Sequence, residues 1–128
     1  MSDVVLDASA LLALLQDEPG ASRVLDSLPG ALICSVNLSE VVAKLSELGM
    51  PEADIRTALS LGLDVIPFDA SLAFDAGLLR TATRSAGLSL GDRACLALAE
   101  SRSLPALTTD RAWARLDLDV TIEVVRPD

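Results

Sequence analysis

Short apolar segments alternate with longer amphipathic segments along the whole chain, and only a few residues connect one to the next. The apolar segments predict five strands, at residues 4–6, 31–35, 64–68, 105–109 and 120–125. The amphipathic segments predict helices at residues 10–15, 21–28, 36–48, 51 to about 61, 71 to about 84, 88–102 and 111–116. In the 88–102 segment the helix is expected to begin after the first few residues. Because parallel strands need crossover connections, we expect an α/β fold: a mainly parallel sheet of about five strands between two helical layers.

The length of the chain predicts a single domain over residues 1–128, and 51% of its residues are hydrophobic, enough for one core. No apolar run reaches the ~20 residues of a membrane span. The N-terminal apolar segment lacks the basic stretch of a signal peptide. Cys34 and Cys95 lie in apolar segments, which favours reduced core cysteines over a disulfide. We therefore expect a cytoplasmic protein without a membrane partner.

The missing residue types restrict the chemistry. The chain has no histidine, which excludes imidazole acid–base catalysis, Ser-His and Cys-His nucleophiles and histidine-bound zinc. The single lysine, Lys44, has no phosphate-binding glycine loop around it. Carboxylates and hydroxyls remain as the main catalytic groups, and carboxylates without imidazole suit hard cations such as Mg²⁺ or Mn²⁺.

Four acidic residues are predicted at one edge of the sheet, because ligand sites of such folds lie beyond the carboxyl ends of the strands. Asp7 directly follows the first predicted strand, and Asp110 directly follows the fourth. Glu40 lies in the first turns of the helix after the second strand, and Asp92 in the first turns of the helix before the fourth. Four distant segments thus each bring one carboxylate toward the same pocket.

Each of these acids also has a purely structural interpretation. Ser89-x-x-Asp92 and Asn37-x-x-Glu40 resemble capping boxes, in which the acid accepts a backbone N–H. Asp7 and Asp110 are each followed by a predicted helix that they are able to cap. Taken singly, each acid is explained at least as well by capping as by a ligand site.

Four segments of the chain resemble the motif blocks of PIN-domain nucleases, in the same order: "VVLDASALLALL", "SVNLSEVVAKL", "LSLGDRACLALAE" and "LTTDRAWARL". Within that family the sequence is most similar to VapC-type toxins of bacterial type II toxin–antitoxin pairs. The resemblance implies a PIN-like three-layer αβα sandwich and an Mg²⁺- or Mn²⁺-dependent ribonuclease that leaves a 5′-phosphate and a 3′-hydroxyl. By position, it assigns metal binding and catalysis to Asp7, Glu40, Asp92 and Asp110.

Other residues receive weaker assignments. Ser9 and Thr109 match small polar positions of the family beside the site. Arg93 and Arg111 directly follow two of the acids, where a guanidinium is able to hold substrate phosphate or pair with nearby acids. Asp117 is the alternative to Asp110 as the fourth acid, and both one and two metal ions stay open.

The resemblance also implies partners: an RNA substrate, a cognate antitoxin and a second copy of the chain. The candidate dimer surface is the pair of predicted helical regions at residues 21–28 and 36–61. The net charge of −9 suits a basic antitoxin segment and leaves no broad basic surface for duplex DNA. The alternative function is a catalytically weak or inactive PIN-like domain that binds RNA or protein. Aspartyl-phosphate phosphatases and receiver domains are disfavoured, because the second acid that they need after the first strand is missing and Lys44 is poorly placed to be their lysine.

Overall fold

Five short strands form one sheet in the computed structural model, which describes residues 3–126. All pairings are parallel, and the spatial order is β3-β2-β1-β4-β5. The strands are β1 (Val5–Leu6), β2 (Leu32–Cys34), β3 (Asp64–Ile66), β4 (Ala106–Thr108) and β5 (Ile122–Val124).

Six α-helices connect the strands, and two short 3₁₀ helices lie at Arg84–Ala86 and Arg111–Arg115. The α-helices are α1 (Ala8–Leu15), α2 (Ala21–Asp26), α3 (Ser35–Glu47), α4 (Glu52–Ala58), α5 (Ala70–Ala82) and α6 (Leu90–Arg102). Among the described residues, no helix is long and apolar enough to cross a membrane.

Two hydrophobic cores lie on opposite faces of the sheet, since successive strand residues point to opposite sides. Val5 packs with residues of α5 and α6 and with Trp113. Its neighbour Leu6 packs with residues of α1 to α4. The predicted α/β fold, with helical layers on both faces of a parallel sheet, is therefore confirmed. Cys34 and Cys95 are both buried free thiols, as predicted.

Several predicted boundaries were wrong by a few residues. Pro51, predicted as the first residue of a helix, is instead the extended N-cap of α4, and that helix ends at Ala58 rather than near residue 61. Helix α3 begins at Ser35, so Asn37 is its third residue and not a cap; the predicted Asn37–Glu40 capping box is wrong. The 111–116 segment is a 3₁₀ helix. The end of α4 was predicted too late because Leu59 and Leu61 continue the apolar pattern and pack on the core beyond the last helical residue.

The strand order places β1 at the centre, where the chain changes direction across the sheet. From β1 the chain moves outward through β2 and β3, and later returns to the other side of β1 through β4 and β5. Crevices at such a switch point, beyond the carboxyl ends of the strands, are the usual ligand sites of open parallel sheets. Asp7 is the residue that directly follows β1.

Candidate active site

Asp7 is buried, with 5% of its surface exposed, and its carboxylate accepts three hydrogen bonds. Oδ1 accepts from the backbone N–H of Ala10 at 2.8 Å, which caps α1, and from the hydroxyl of Ser9 at 2.7 Å. Oδ2 accepts from the hydroxyl of Thr108, the last residue of β4, at 2.5 Å. Asp7 is thus fixed by its own helix and by the neighbouring strand.

These hydrogen bonds do not fully offset the cost of burial. Burial raises the pKa of Asp7 from 3.8 to about 6; the hydrogen bonds from Thr108, Ala10 and Ser9 oppose the rise, and the charge of Asp92 adds to it. A carboxylate that is costly to ionise, yet faces a cavity, gains most from a cation. The local environment of Asp7 therefore favours a positively charged ligand.

The four predicted acids line one cavity of about 320 Å³. Asp7 comes from the end of β1, Glu40 from α3, Asp92 from the first turn of α6 and Asp110 from the residues after β4. The cavity is also lined by Ser9, Asn37 and Lys44. The fold thus brings together all four carboxylates that the sequence predicted for the site.

Glu40 is held against the start of α6. The side-chain amide of Asn37 donates both to Glu40 Oε1 and to the carbonyl of Gly91, each at 3.0 Å. A Cβ on Gly91 would lie 2.5 Å from Glu40 Oε2, so the missing side chain makes room for the carboxylate. Burial raises the pKa of Glu40, the hydrogen bond from Asn37 opposes the rise, and the charge of Asp92 adds to it.

The capping interpretations of Asp92 and Asp110 are also confirmed. Ser89 and Asp92 form a complete capping box at the start of α6. Asp110 Oδ1 accepts from the backbone N–H of Ala112 at 3.0 Å and caps the 3₁₀ helix. A cap uses only part of a carboxylate's acceptor capacity, so each acid is able to cap a helix and face the cavity at once.

Three side chains of this site were not assigned to it from the sequence. Thr108, rather than Thr109, gives its hydroxyl to Asp7; Thr109 contributes a backbone N–H to Ser9 Oγ at 3.0 Å. Asn37 is 1% exposed, and its Oδ1 has no hydrogen-bond partner within residues 3–126. Lys44 lies one helical turn after Glu40, a spacing that places both side chains on one face of α3.

The two arginines predicted to bind substrate do not line this cavity. Arg93 is half-buried, and its Nη1 donates to the carbonyl of Ala76 on α5 at 2.9 Å. Arg111 is exposed at the start of the 3₁₀ helix after β4. Asp117 lines a different cavity, of about 540 Å³, which Asp92 and Asp110 also border.

A divalent cation fits the site through its donor chemistry. Carboxylate oxygens are the ligands that Mg²⁺ and Mn²⁺ prefer, and four converge on one cavity. Within residues 3–126, no three acidic or cysteine side chains already form a set that could hold one ion. Binding would therefore need the side chains of the more exposed acids to turn toward the fixed Asp7.

The chain matches the sequence model of the PIN domain over residues 4–118. Its structure is similar to a toxin–antitoxin complex from Klebsiella pneumoniae, with 23% identity, a TM-score of 0.73 and coverage of 92% of this chain and 95% of that chain. The structure is also similar to DNA-bound VapBC from Salmonella typhimurium, with 21% identity and a TM-score of 0.74. The match covers 96% of this chain and 98% of that chain. VapBC2 from Rickettsia felis, bound to a DNA fragment from its promoter, is also similar, with 21% identity and a TM-score of 0.73. The match covers 94% of this chain and 97% of that chain. No curated protein matches significantly.

Proposed function

The chain belongs to the PIN domain family, and from that premise we propose that it is a divalent-metal-dependent ribonuclease, the toxin of a toxin–antitoxin pair. The observation that carries the proposal is the convergence of Asp7, Glu40, Asp92 and Asp110 on one cavity. Without histidine in the chain, carboxylates and a cation are the chemistry that this cavity is able to offer.

The four acids would hold Mg²⁺ or Mn²⁺, as one ion or as two. When bound, such an ion lowers the pKa of a water molecule and stabilises negative charge on the phosphate and the leaving oxygen. Asp7 provides the fixed carboxylate, since Ser9, Ala10 and Thr108 hold its orientation. Asn37 holds Glu40 close to the start of α6, where Asp92 lies. The products would carry a 5′-phosphate and a 3′-hydroxyl.

RNA binding is proposed for the residues around the acids. Ser9 is within the cavity, although its hydroxyl is already used by Asp7 and by the N–H of Thr109. The backbone of Thr109 and the exposed Arg111 lie on the segment that carries Asp110. Arg93, bonded to the Ala76 carbonyl, would have to leave that contact to reach substrate.

An antitoxin partner is supported by the chemistry of two surfaces. A cavity of about 430 Å³ lies between α3 and α4, with Val42, Met50, Ile55 and Leu59 among its lining residues, and would take an apolar helix of the partner. The net charge of −9 and the acids around Asp7 would attract a basic tail. The similar structure from Klebsiella pneumoniae is described as a toxin–antitoxin complex, and the other two similar structures are described as DNA-bound VapBC proteins.

A homodimer is proposed because large apolar side chains stay exposed. Leu25 in α2 and Leu48 after α3, at 56% and 58% exposed, lie in the two regions predicted for the interface. Phe74 and Leu78, one turn apart on α5 and 69% and 62% exposed, add a further apolar surface outside those regions. Sedimentation as a monomer at micromolar concentration would contradict this proposal.

The function is tested by incubating the purified protein with an unstructured, end-labelled single-stranded RNA and Mn²⁺. We expect internal cleavage that excess EDTA abolishes, with new 5′ ends that a kinase labels only after phosphatase treatment. Equal cleavage in EDTA would reject the metal mechanism. RNA binding without cleavage, together with no Mn²⁺ binding in a calorimetric titration, would instead support the alternative, an inactive PIN domain that acts as a binding module.

A further inference from the structure

Two cavities meet at the acidic site, and Asp92 and Asp110 border both of them. The first is the cavity of about 320 Å³ that all four acids line. The second, of about 540 Å³, extends between the end of α5 and the segment after β4. Volumes of this size are within the ~300–1,000 Å³ range of ligand pockets. Together they form a path that crosses the pair Asp92 and Asp110.

Each cavity has one cationic side chain among its lining residues. Lys44 lines the smaller cavity, and Arg115 lines the larger one. Both residues are exposed, and neither forms an ion pair within the described residues 3–126. In a chain with net charge −9, one such cation in each of the two cavities that share Asp92 and Asp110 is a specific arrangement. It suits a polyanion whose central phosphate lies over the acids and whose outer phosphates lie beyond them.

We infer that a single strand of RNA crosses the site from Lys44 to Arg115, with these two side chains contacting the phosphates on either side of the bond to be cut. The inference rests on the proposed function and adds the substrate path to it. Lys44 offers a compact point charge, whereas the planar guanidinium of Arg115 is able to bind a phosphate through two N–H groups. The backbone phosphates carry no sequence information, so the two contacts position the strand without selecting its bases.

The experiment measures binding of a fluorescein-labelled, unstructured 12-nucleotide RNA by anisotropy at a series of KCl concentrations. Ca²⁺ replaces Mn²⁺ to neutralise the carboxylates, and gel electrophoresis checks that the RNA stays intact. Each phosphate contact on single-stranded nucleic acid contributes about 0.7 to the slope of log K against log salt. We therefore expect Lys44→Ala and Arg115→Ala each to weaken binding several-fold and to lower the slope by about 0.7, and the double variant by about 1.4.

Arg102→Ala is the matched control, since it removes the same charge from the other end of α6, about 15 Å from Asp92 along the helix. The control should keep the wild-type slope. If Lys44→Ala and Arg115→Ala behave like Arg102→Ala, the inferred path is wrong even where the wild-type protein cleaves RNA in Mn²⁺. If both variants lower the slope of log K against log salt as expected but the wild-type protein does not cleave RNA, the path is supported and the proposed function fails. An equally tight, Lys44- and Arg115-dependent complex with a polyglutamate peptide would overturn the assignment to RNA.

Discussion

Gly91 and Glu40 occupy adjacent space, although they lie on different helices. A Cβ at Gly91 would lie 2.5 Å from Glu40 Oε2 and 2.6 Å from its Cδ, closer than side-chain atoms approach one another. The same two residues are joined through Asn37, whose amide donates to the carboxylate of Glu40 and to the carbonyl of Gly91. The position of Glu40 thus depends on the absence of a side chain on α6.

Gly91→Ala is expected to displace the Glu40 carboxylate without harming the fold. Alanine in a helix is favoured over glycine by about 0.5–1 kcal/mol, so thermal stability without metal should stay equal or rise. Affinity for Mn²⁺, measured by calorimetry, should fall by about 10-fold or more, a typical cost of disturbing the groups around a metal. The control is Gly77→Ala in α5, where an added Cβ meets no atom within 4 Å. Equal Mn²⁺ affinity in the two variants would contradict the role of Gly91.

Asp7→Asn is expected to change how stability depends on pH in EDTA. The pKa of Asp7 is about 6 in the folded protein against 3.8 unfolded, so its favourable contribution is complete below pH 3.8 and is lost as pH rises through about 6. A difference of this size corresponds to about 3 kcal/mol. The free energy of unfolding of Asp7→Asn relative to wild type should therefore increase by up to about this amount between pH 4 and pH 8. A difference that is independent of pH in urea titrations would show that Asp7 ionises normally.

Thr108→Val is expected to shift the pH profile of activity. The hydroxyl of Thr108 donates to Asp7 Oδ2 at 2.5 Å and favours its ionised form. Without that donor the pKa of Asp7 rises further, and the acidic limb of RNA cleavage, which requires an ionised Asp7, moves to higher pH. Thr108→Ser keeps the hydroxyl, so the acidic limb of its cleavage profile should stay at the wild-type pH. A parallel loss of rate at every pH in Thr108→Val would mean that Thr108 acts through packing or by accepting the backbone N–H of Asp110, and not through the ionisation of Asp7.

The antitoxin complex offers a test of inhibition by charge. If a basic residue of the partner's tail pairs with Asp7 and Asp92, its replacement by alanine should restore RNA cleavage in a complex that still assembles. High salt should weaken the inhibition and leave the apolar contact largely unaffected. A complex that assembles but stays inactive, and still fails to bind Mn²⁺, would show that the partner's helix alone covers the site.

The sheet, both helical layers and the meeting of the four acids at one cavity were predictable because strand ends and helix starts of parallel folds meet at one edge. The side chains that support the acids were harder to predict. Neighbours along a helix do not face one another, so Arg93 points to Ala76 instead of joining Asp92 in the cavity. The position of Lys44 could have been predicted, because it follows Glu40 by four residues and so lies on the same face of α3.

Two further residues depended on details that the sequence does not show. The choice between Thr108 and Thr109 depends on which of them is the last paired residue of β4. The role of Asn37 was hidden because α3 begins at Ser35, three residues earlier than a capping box at Asn37 requires. In both cases a shift of one to three residues in an element boundary changes which side chain reaches the site.

The most direct measurement of the central claim is the rate of RNA cleavage in saturating Mn²⁺ by wild type, Asp92→Asn and Asp117→Asn. Asp92 lines the cavity with Asp7 and Glu40, whereas Asp117 lines only the neighbouring one. We expect Asp92→Asn to cut more than about 100-fold slower, beyond the 10–100-fold cost of losing a group that only supports a metal ligand. Asp117→Asn should stay within a few-fold of wild type. Equal rates for Asp92→Asn and wild type would contradict a shared carboxylate–metal site.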